Sequence, residues 1–196
     1  MHTIKRNKTP IRNLTSAAIC LALCMVLPFL TGQIPQIGSA LSPMHIPVLL
    51  GGFLCGPWWA MVVGFIAPLL RFALFGMPPI FPTGLAMSFE LAAYGLISGL
   101  LYTKLPKKTA SIYVSLVAAM LAGRLVWGGI MVVLMGLSHS VFTWAAFVAG
   151  AFTNAIPGII VHIVLIPMLV LALQKCGFIE ASMETEARNM RMVVSD

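Results

Sequence analysis

The chain has 196 residues, of which 60% are hydrophobic and 9% charged, with a formal net charge of +7. A soluble domain carries roughly 25% charged residues, so this composition excludes an ordinary soluble fold and predicts an integral membrane protein. Six spans of about 20 residues would use roughly 120 positions, leaving short loops and tails and no room for a soluble catalytic or nucleotide-binding domain.

No Gly-x-x-x-x-Gly-Lys-Ser/Thr phosphate-binding loop occurs in the sequence. Uphill movement of a solute would therefore draw its energy from an ion gradient or from a partner. The positive charge reads as topology rather than as a nucleic-acid footprint, because Lys and Arg gather on the cytoplasmic side of membrane proteins.

Residues 1–13 form a basic tail with Lys5, Arg6, Lys8 and Arg12. The apolar run 14–30 follows and is read as a retained first span rather than a signal peptide, since no small-x-small cleavage site follows it. Small residues recur in it four apart: Ser16, Cys20 and Cys24 on one row, Ala18 and Ala22 on the next. Such rows let helix backbones approach closely, either within this protein or against a partner.

Residues 31–44 carry Gln33, Gln36, glycine and proline but no charge, and are expected to form an outer loop. The run 45–55 is short for a span; a helix starting at Pro43 would reach roughly 20 Å. Spans are predicted at 58–75 and 83–102, joined by residues 76–82, which hold three prolines. Proline lacks an amide donor and fixes φ, so this joint cannot continue a helix and reads as a tight, stiff loop. The loop 103–108 contains Lys104, Lys107 and Lys108; then come a span at 111–134, the polar stretch 136–140 and a long apolar run at 141–173. Gly150, Pro157 and Gly158 mark tight packing or a bend in that last run.

Counting the short run as a crossing puts both tails and the lysine loop on one side and the uncharged loops on the other. The charge asymmetry therefore selects an all-α, six-span membrane protein with both termini cytoplasmic. The membrane domain covers 14–175, and a polar cytoplasmic tail covers 176–196.

The ionisable groups within the spans are His45, Arg71, Glu90, Arg124 and His162. A charge in a span is costly and marks a functional site by default. Arg71 and Glu90 fall at similar depth on adjacent antiparallel helices and are expected to pair. Arg124 then lacks an acid and, being unable to shed its proton, offers a positive pocket to an anionic ligand. Trp127 follows on the same helix face, and Asn154 falls at similar depth on the last span, roughly 16 Å below the outer surface. The opposing arrangement pairs Glu90 with Arg124 and leaves a nearly neutral pocket. His45 and His162 are open between ligand contact and helix packing.

Catalysis finds no support. One acidic residue lies in the membrane, so no metal site is expected. No serine–histidine spacing or Gly-x-Ser-x-Gly elbow occurs. Cys20, Cys24, Cys55 and Cys176 have no ligand spacing and are expected to stay unbridged.

The six predicted spans, the Ala18-x-x-x-Ala22 row and the uncharged loop after it are matched by a longer block. It runs from Met44-His-Ile-Pro-Val-Leu-Leu-Gly-Gly through Gly76-Met-Pro-Pro to Glu90-Leu-Ala-Ala-Tyr-Gly. Together these resemble the substrate-binding S components of energy-coupling factor (ECF) vitamin transporters, pantothenate-type branch. The resemblance implies a multi-pass cell-membrane subunit, not an enzyme, that captures a small water-soluble vitamin from outside. It implies docking through Ala18 and Ala22 to a membrane T component coupled to two cytoplasmic ATPases, which hydrolyse ATP; the subunit itself would hold no cofactor. It also implicates Gln33, Gln36, Glu90, Arg124, Trp127 and Asn154 in substrate binding. Pantothenate is the first expectation. A different vitamin such as pyridoxine, or a self-sufficient small carrier or channel, is the alternative.

Overall fold

The computed structural model describes residues 10–31, 41–106, 108–138, 143–151 and 153–179. These residues form helices and no strands. In chain order they are α1 (Pro10–Val26, ending in a 3₁₀ turn Leu27–Thr31), α2 (His45–Leu54), α3 (Pro57–Phe75), α4 (Leu85–Lys104), α5 (Thr109–Leu137), α6 (Trp144–Ala151) and α7 (Ile156–Lys175). Among the described residues, five stretches are long and apolar enough to cross a membrane: 11–30, 57–75, 80–104, 109–137 and 156–175.

α2 departs from expectation. It starts at His45 rather than Pro43: Ser42 takes a left-handed backbone (φ 46°) and its carbonyl accepts the His45 amide, so residues 42–45 close as a turn before the helix. Ten residues rise about 15 Å, half the roughly 30 Å of a hydrocarbon core. α2 is a short helix enclosed by the others: His45, Pro47, Val48, Leu49, Leu50, Gly51, Gly52 and Phe53 are all buried. The last apolar run is also not one helix. It divides into α6, a 3₁₀ turn Thr153–Ala155 and α7. Pro157 sits in the first turn of α7, where a missing amide hydrogen costs no intrahelical bond.

The joint between α3 and α4 breaks the helix where its prolines predict. Gly76 caps α3 in the left-handed conformation (φ 71°), its amide bonding Phe72 O. A turn at Ile80–Gly84, with Phe81 extended (φ −116°, ψ 135°), then leads into α4.

α3 and α4 lie backbone to backbone. A Cβ placed on Gly64 would come within 2.4 Å of Leu91 O, and one on Gly95 within 2.5 Å of the Ala60 backbone. Only glycine permits that approach, which supplies contact where lipid removes any hydrophobic drive between helices. On the next row of α4, Tyr94 lies over Gly123 of α5. The apolar residues left on the outside include Leu125, Val133, Ile160 and Val164, an arrangement suited to lipid rather than water.

Polar contacts fix which helix ends lie together. Arg12 in the first turn of α1 donates to Phe178 O just past α7, and Gln174 near the end of α7 donates to Tyr102 OH near the end of α4 at 2.8 Å. Gly99 of α4 packs on Pro57 at the start of α3. Arg12, Lys104, Lys108 and Lys175 therefore gather at one end of the bundle. The other end joins the end of α1 to the end of α3, where the Phe29 and Phe75 rings meet edge to face at 5.0 Å.

The first-span rows separate as their spacing predicts. Cys20 and Cys24 are buried against α2, with Cys20 Sγ near Gly51, whereas Ala18 and Ala22 are exposed. None of the four cysteines is in a disulfide.

Candidate functional site

The interior charge cluster is built on α4. Glu90 and Tyr94 are one turn apart and hence on one face. That face turns toward α2 and α5, because the adjacent row Leu91–Gly95–Gly99 is taken up by α3. Glu90 is 1% exposed. Its Oε1 lies 2.8 Å from Arg124 Nη1 of α5 and accepts a hydrogen bond from Tyr94 OH at 2.9 Å. His45 Nε2, at the start of α2, is 3.6 Å from the same oxygen.

This corrects the expected pairing of Arg71 with Glu90. Arg71, on α3, faces α1 instead. Its Nη1 donates to Met25 O at 2.8 Å, and the guanidinium lies over the rings of Phe29 and Phe75, 5.3 and 5.2 Å from their centroids. A cation held by a terminal helix carbonyl and two aromatic faces is a clamp between two helix ends. Arg71 and Arg124 flank α4 from opposite neighbours; the α3–α4 glycine contact turns Glu90 away from one and toward the other.

Two histidines complete the cluster. The His45 ring lies 5.2 Å from that of Tyr94 and stacks on His162 of α7, centroids 6.0 Å apart and planes 18° apart. Both are 3% exposed. The His162 ring is also held by the backbone of Ser42, and Ser42 O accepts the His45 amide at 3.0 Å. Four helices thus converge on one acid, one guanidinium, one phenol and two imidazoles.

Trp127 lies one turn beyond Arg124 but packs toward α6, stacking on Phe147 with centroids 6.4 Å apart and crowding Gly150. Trp144 is 77% exposed beside Phe147, as an interfacial tryptophan would be. Gln33, Gln36 and the side chain of Asn154 lie outside the described residues. A cleft between α5 and α7, lined by Val117, Met120, Leu121, Arg124, Ile159 and Ile163, reaches the cluster from one side. At about 80 Å³ it is well below the roughly 300–1,000 Å³ of small-molecule pockets.

Sequence reasoning missed Tyr94 and left His45 and His162 undecided. A signal for Tyr94 was present: a phenol one turn from a membrane carboxylate is positioned to donate to it. The histidines gave none, because their meeting depends on how α2 inserts. Among the described residues, no group of three or more His, Cys, Asp or Glu is placed to hold a metal ion.

These features define a multi-pass helical membrane protein whose interior is organised by a buried acid–base cluster. Residues 12–170 match the family model "ECF transporter, substrate-specific component", and the chain belongs to that family. No curated protein matches the chain, and no solved structure does. S components are transporter subunits rather than enzymes, and they work with T and ATPase components on a small-molecule substrate.

Proposed function

We propose that this chain is the vitamin-capturing subunit of an ATP-driven importer in the cell membrane, with α2 counted as a short sixth crossing and both termini cytoplasmic. The gathering of Arg12, Lys104, Lys108 and Lys175 at one end supports that orientation. The observation that carries the capture role is the buried cluster of Glu90, Arg124, Tyr94, His45 and His162 in a chain of this family. Polar groups held inside a membrane bundle mark substrate pathways. Glu90 and Arg124 are the proposed centre of the site, with Trp127, Asn154, Gln33 and Gln36 as further contacts toward the uncharged end. ATP is hydrolysed by the partner subunits.

Pantothenate was expected because Arg124 had no acid. With Glu90 on Arg124, a carboxylate ligand reaches the guanidinium only by displacing Glu90, so the charge count no longer favours it.

Docking to the T component is assigned to Ala18 and Ala22, which face outward on α1 beside Ile19 and Leu23. Ala18→Trp and Ala22→Trp are expected to leave folding and vitamin binding intact, because neither position is packed inside the bundle. Both should prevent co-purification with the T component and abolish uptake, by holding the helices apart. Affinity pull-down and cellular uptake measure this; normal assembly by both variants would remove the assignment.

A further inference from the structure

We infer that His45 and His162 are ligand-reading residues, and that the molecule they read is a small, flat heteroaromatic compound bearing hydroxyl and ring-nitrogen groups and no net charge. The inference rests on the capture role proposed above and deepens it.

Three nitrogens of these two rings, His45 Nδ1 and Nε2 and His162 Nε2, are buried without a hydrogen-bond partner among the described residues. Buried polar atoms are nearly always satisfied, and a bilayer interior offers no water to replace a missing partner. A histidine serving only to pack helices would be expected to spend its nitrogens on a neighbouring carbonyl, as His162 does through its contact with Ser42. His45 Nε2 faces Glu90 Oε1 at 3.6 Å, which leaves His45 Nδ1 and His162 Nε2 as the nitrogens with no polar contact among the described residues, where the two rings stack at the meeting point of α2, α4 and α7. A cleft between α5 and α7 approaches the cluster through Arg124, and its α7 wall, Ile159 and Ile163, lies on the same helix as His162.

The chemistry of the cluster limits the ligand. Glu90 and Arg124 are in contact and cancel, so neither a lone anion nor a lone cation is favoured. A neutral imidazole presents one N–H donor and one acceptor nitrogen; His162 spends its N–H on the Ser42 backbone, so its remaining nitrogen accepts and matches a hydroxyl or ring N–H donated by the ligand. The rings of His45, His162 and Tyr94 present aromatic faces, against which a flat ring gains stacking contact that a branched aliphatic acid does not.

The test is calorimetric titration of the purified full chain in detergent with two probes, pyridoxine and pantothenate. Wild type is expected to bind pyridoxine at least about tenfold more tightly than pantothenate. His45→Phe and His162→Phe keep a ring and remove the nitrogens, and each should weaken pyridoxine by at least about tenfold, the scale of one hydrogen bond. The alanine variants serve the same purpose if phenylalanine does not fit. Unliganded unfolding temperatures should hold steady or rise, since an unpaired buried polar group has been removed. Tighter binding of pantothenate would overturn the ligand class while leaving the capture role standing. Unchanged pyridoxine affinity in the variants, or lower unfolding temperatures without loss of affinity, would make the histidines packing groups. Binding of neither probe would also overturn the ligand class; the capture role is then decided separately by ATP-dependent uptake with the partner subunits.

Discussion

Arg124→Ala is expected to destabilise the protein by about 3–5 kcal/mol, the cost of breaking a buried ion pair from one side. The geometry explains the size. Glu90 is 1% exposed, and its Oε1 faces the guanidinium at 2.8 Å. Removing the arginine strands a carboxylate where water cannot reach it; the phenol of Tyr94 donates one hydrogen bond and cannot offset the charge. Glu90→Gln strands the arginine in the same way and should be nearly as damaging. The double variant Glu90→Gln/Arg124→Gln removes both charges and leaves two amides able to bond each other, so it should recover most of the loss. Thermal unfolding in detergent of the two single variants and the double variant, analysed as a double-mutant cycle, measures the coupling. Additive effects would mean that the pair is not coupled in the folded protein.

The second large effect is expected at the α3–α4 contact. Gly64→Ala puts a methyl group 2.4 Å from the carbonyl oxygen of Leu91, a backbone atom that moves only if the helix moves. Overpacking of this kind costs about 1–3 kcal/mol and occasionally more. Here it also rotates or displaces α4, the helix that aims Glu90 at Arg124, so ligand binding should fall along with stability. Gly129→Ala is the matched control. A Cβ there meets nothing within 4 Å, and replacing an exposed helical glycine should stabilise by roughly 0.5–1 kcal/mol. Unfolding midpoints and binding isotherms of the two variants make the comparison. Equal behaviour would show that the two helices are not held at backbone contact.

Much of this architecture was legible as hydropathy and punctuation. The apolar runs gave the long helices, the three prolines in 76–82 gave the break between α3 and α4, and the lysine and arginine positions correctly grouped the helix ends. The Ala18/Ala22 row and the Cys20/Cys24 row were separable by spacing alone, one outward and one inward. The two errors of length have a common cause. Hydropathy does not register local backbone geometry, such as the left-handed Ser42 before α2 and the 3₁₀ turn Thr153–Ala155 before α7.

The charged residues were all found, but Glu90 was given the wrong partner. Depth in the membrane made Arg71 and Arg124 equal candidates, and the choice turned on rotation about the α4 axis. That rotation was encoded in the row Leu91–Gly95–Gly99, whose small residues claim α3 and leave the Glu90–Tyr94 row to α2 and α5. A one-residue offset on a helix is about 100°, enough to change which neighbour a carboxylate meets. The histidine cluster was less accessible still, because it forms only when α2, α4 and α7 come together, and no local pattern reports that.

The central claim is that this chain captures a vitamin and depends on partner ATPases to move it. Uptake of radiolabelled vitamin into proteoliposomes tests this directly, comparing the chain alone with the chain reconstituted together with its T component and ATPases. The account predicts no uptake by the chain alone, with or without an imposed ion gradient, and uptake that appears with the partners and requires ATP. Accumulation of the vitamin by the isolated chain, with no partner and no ATP, would contradict it.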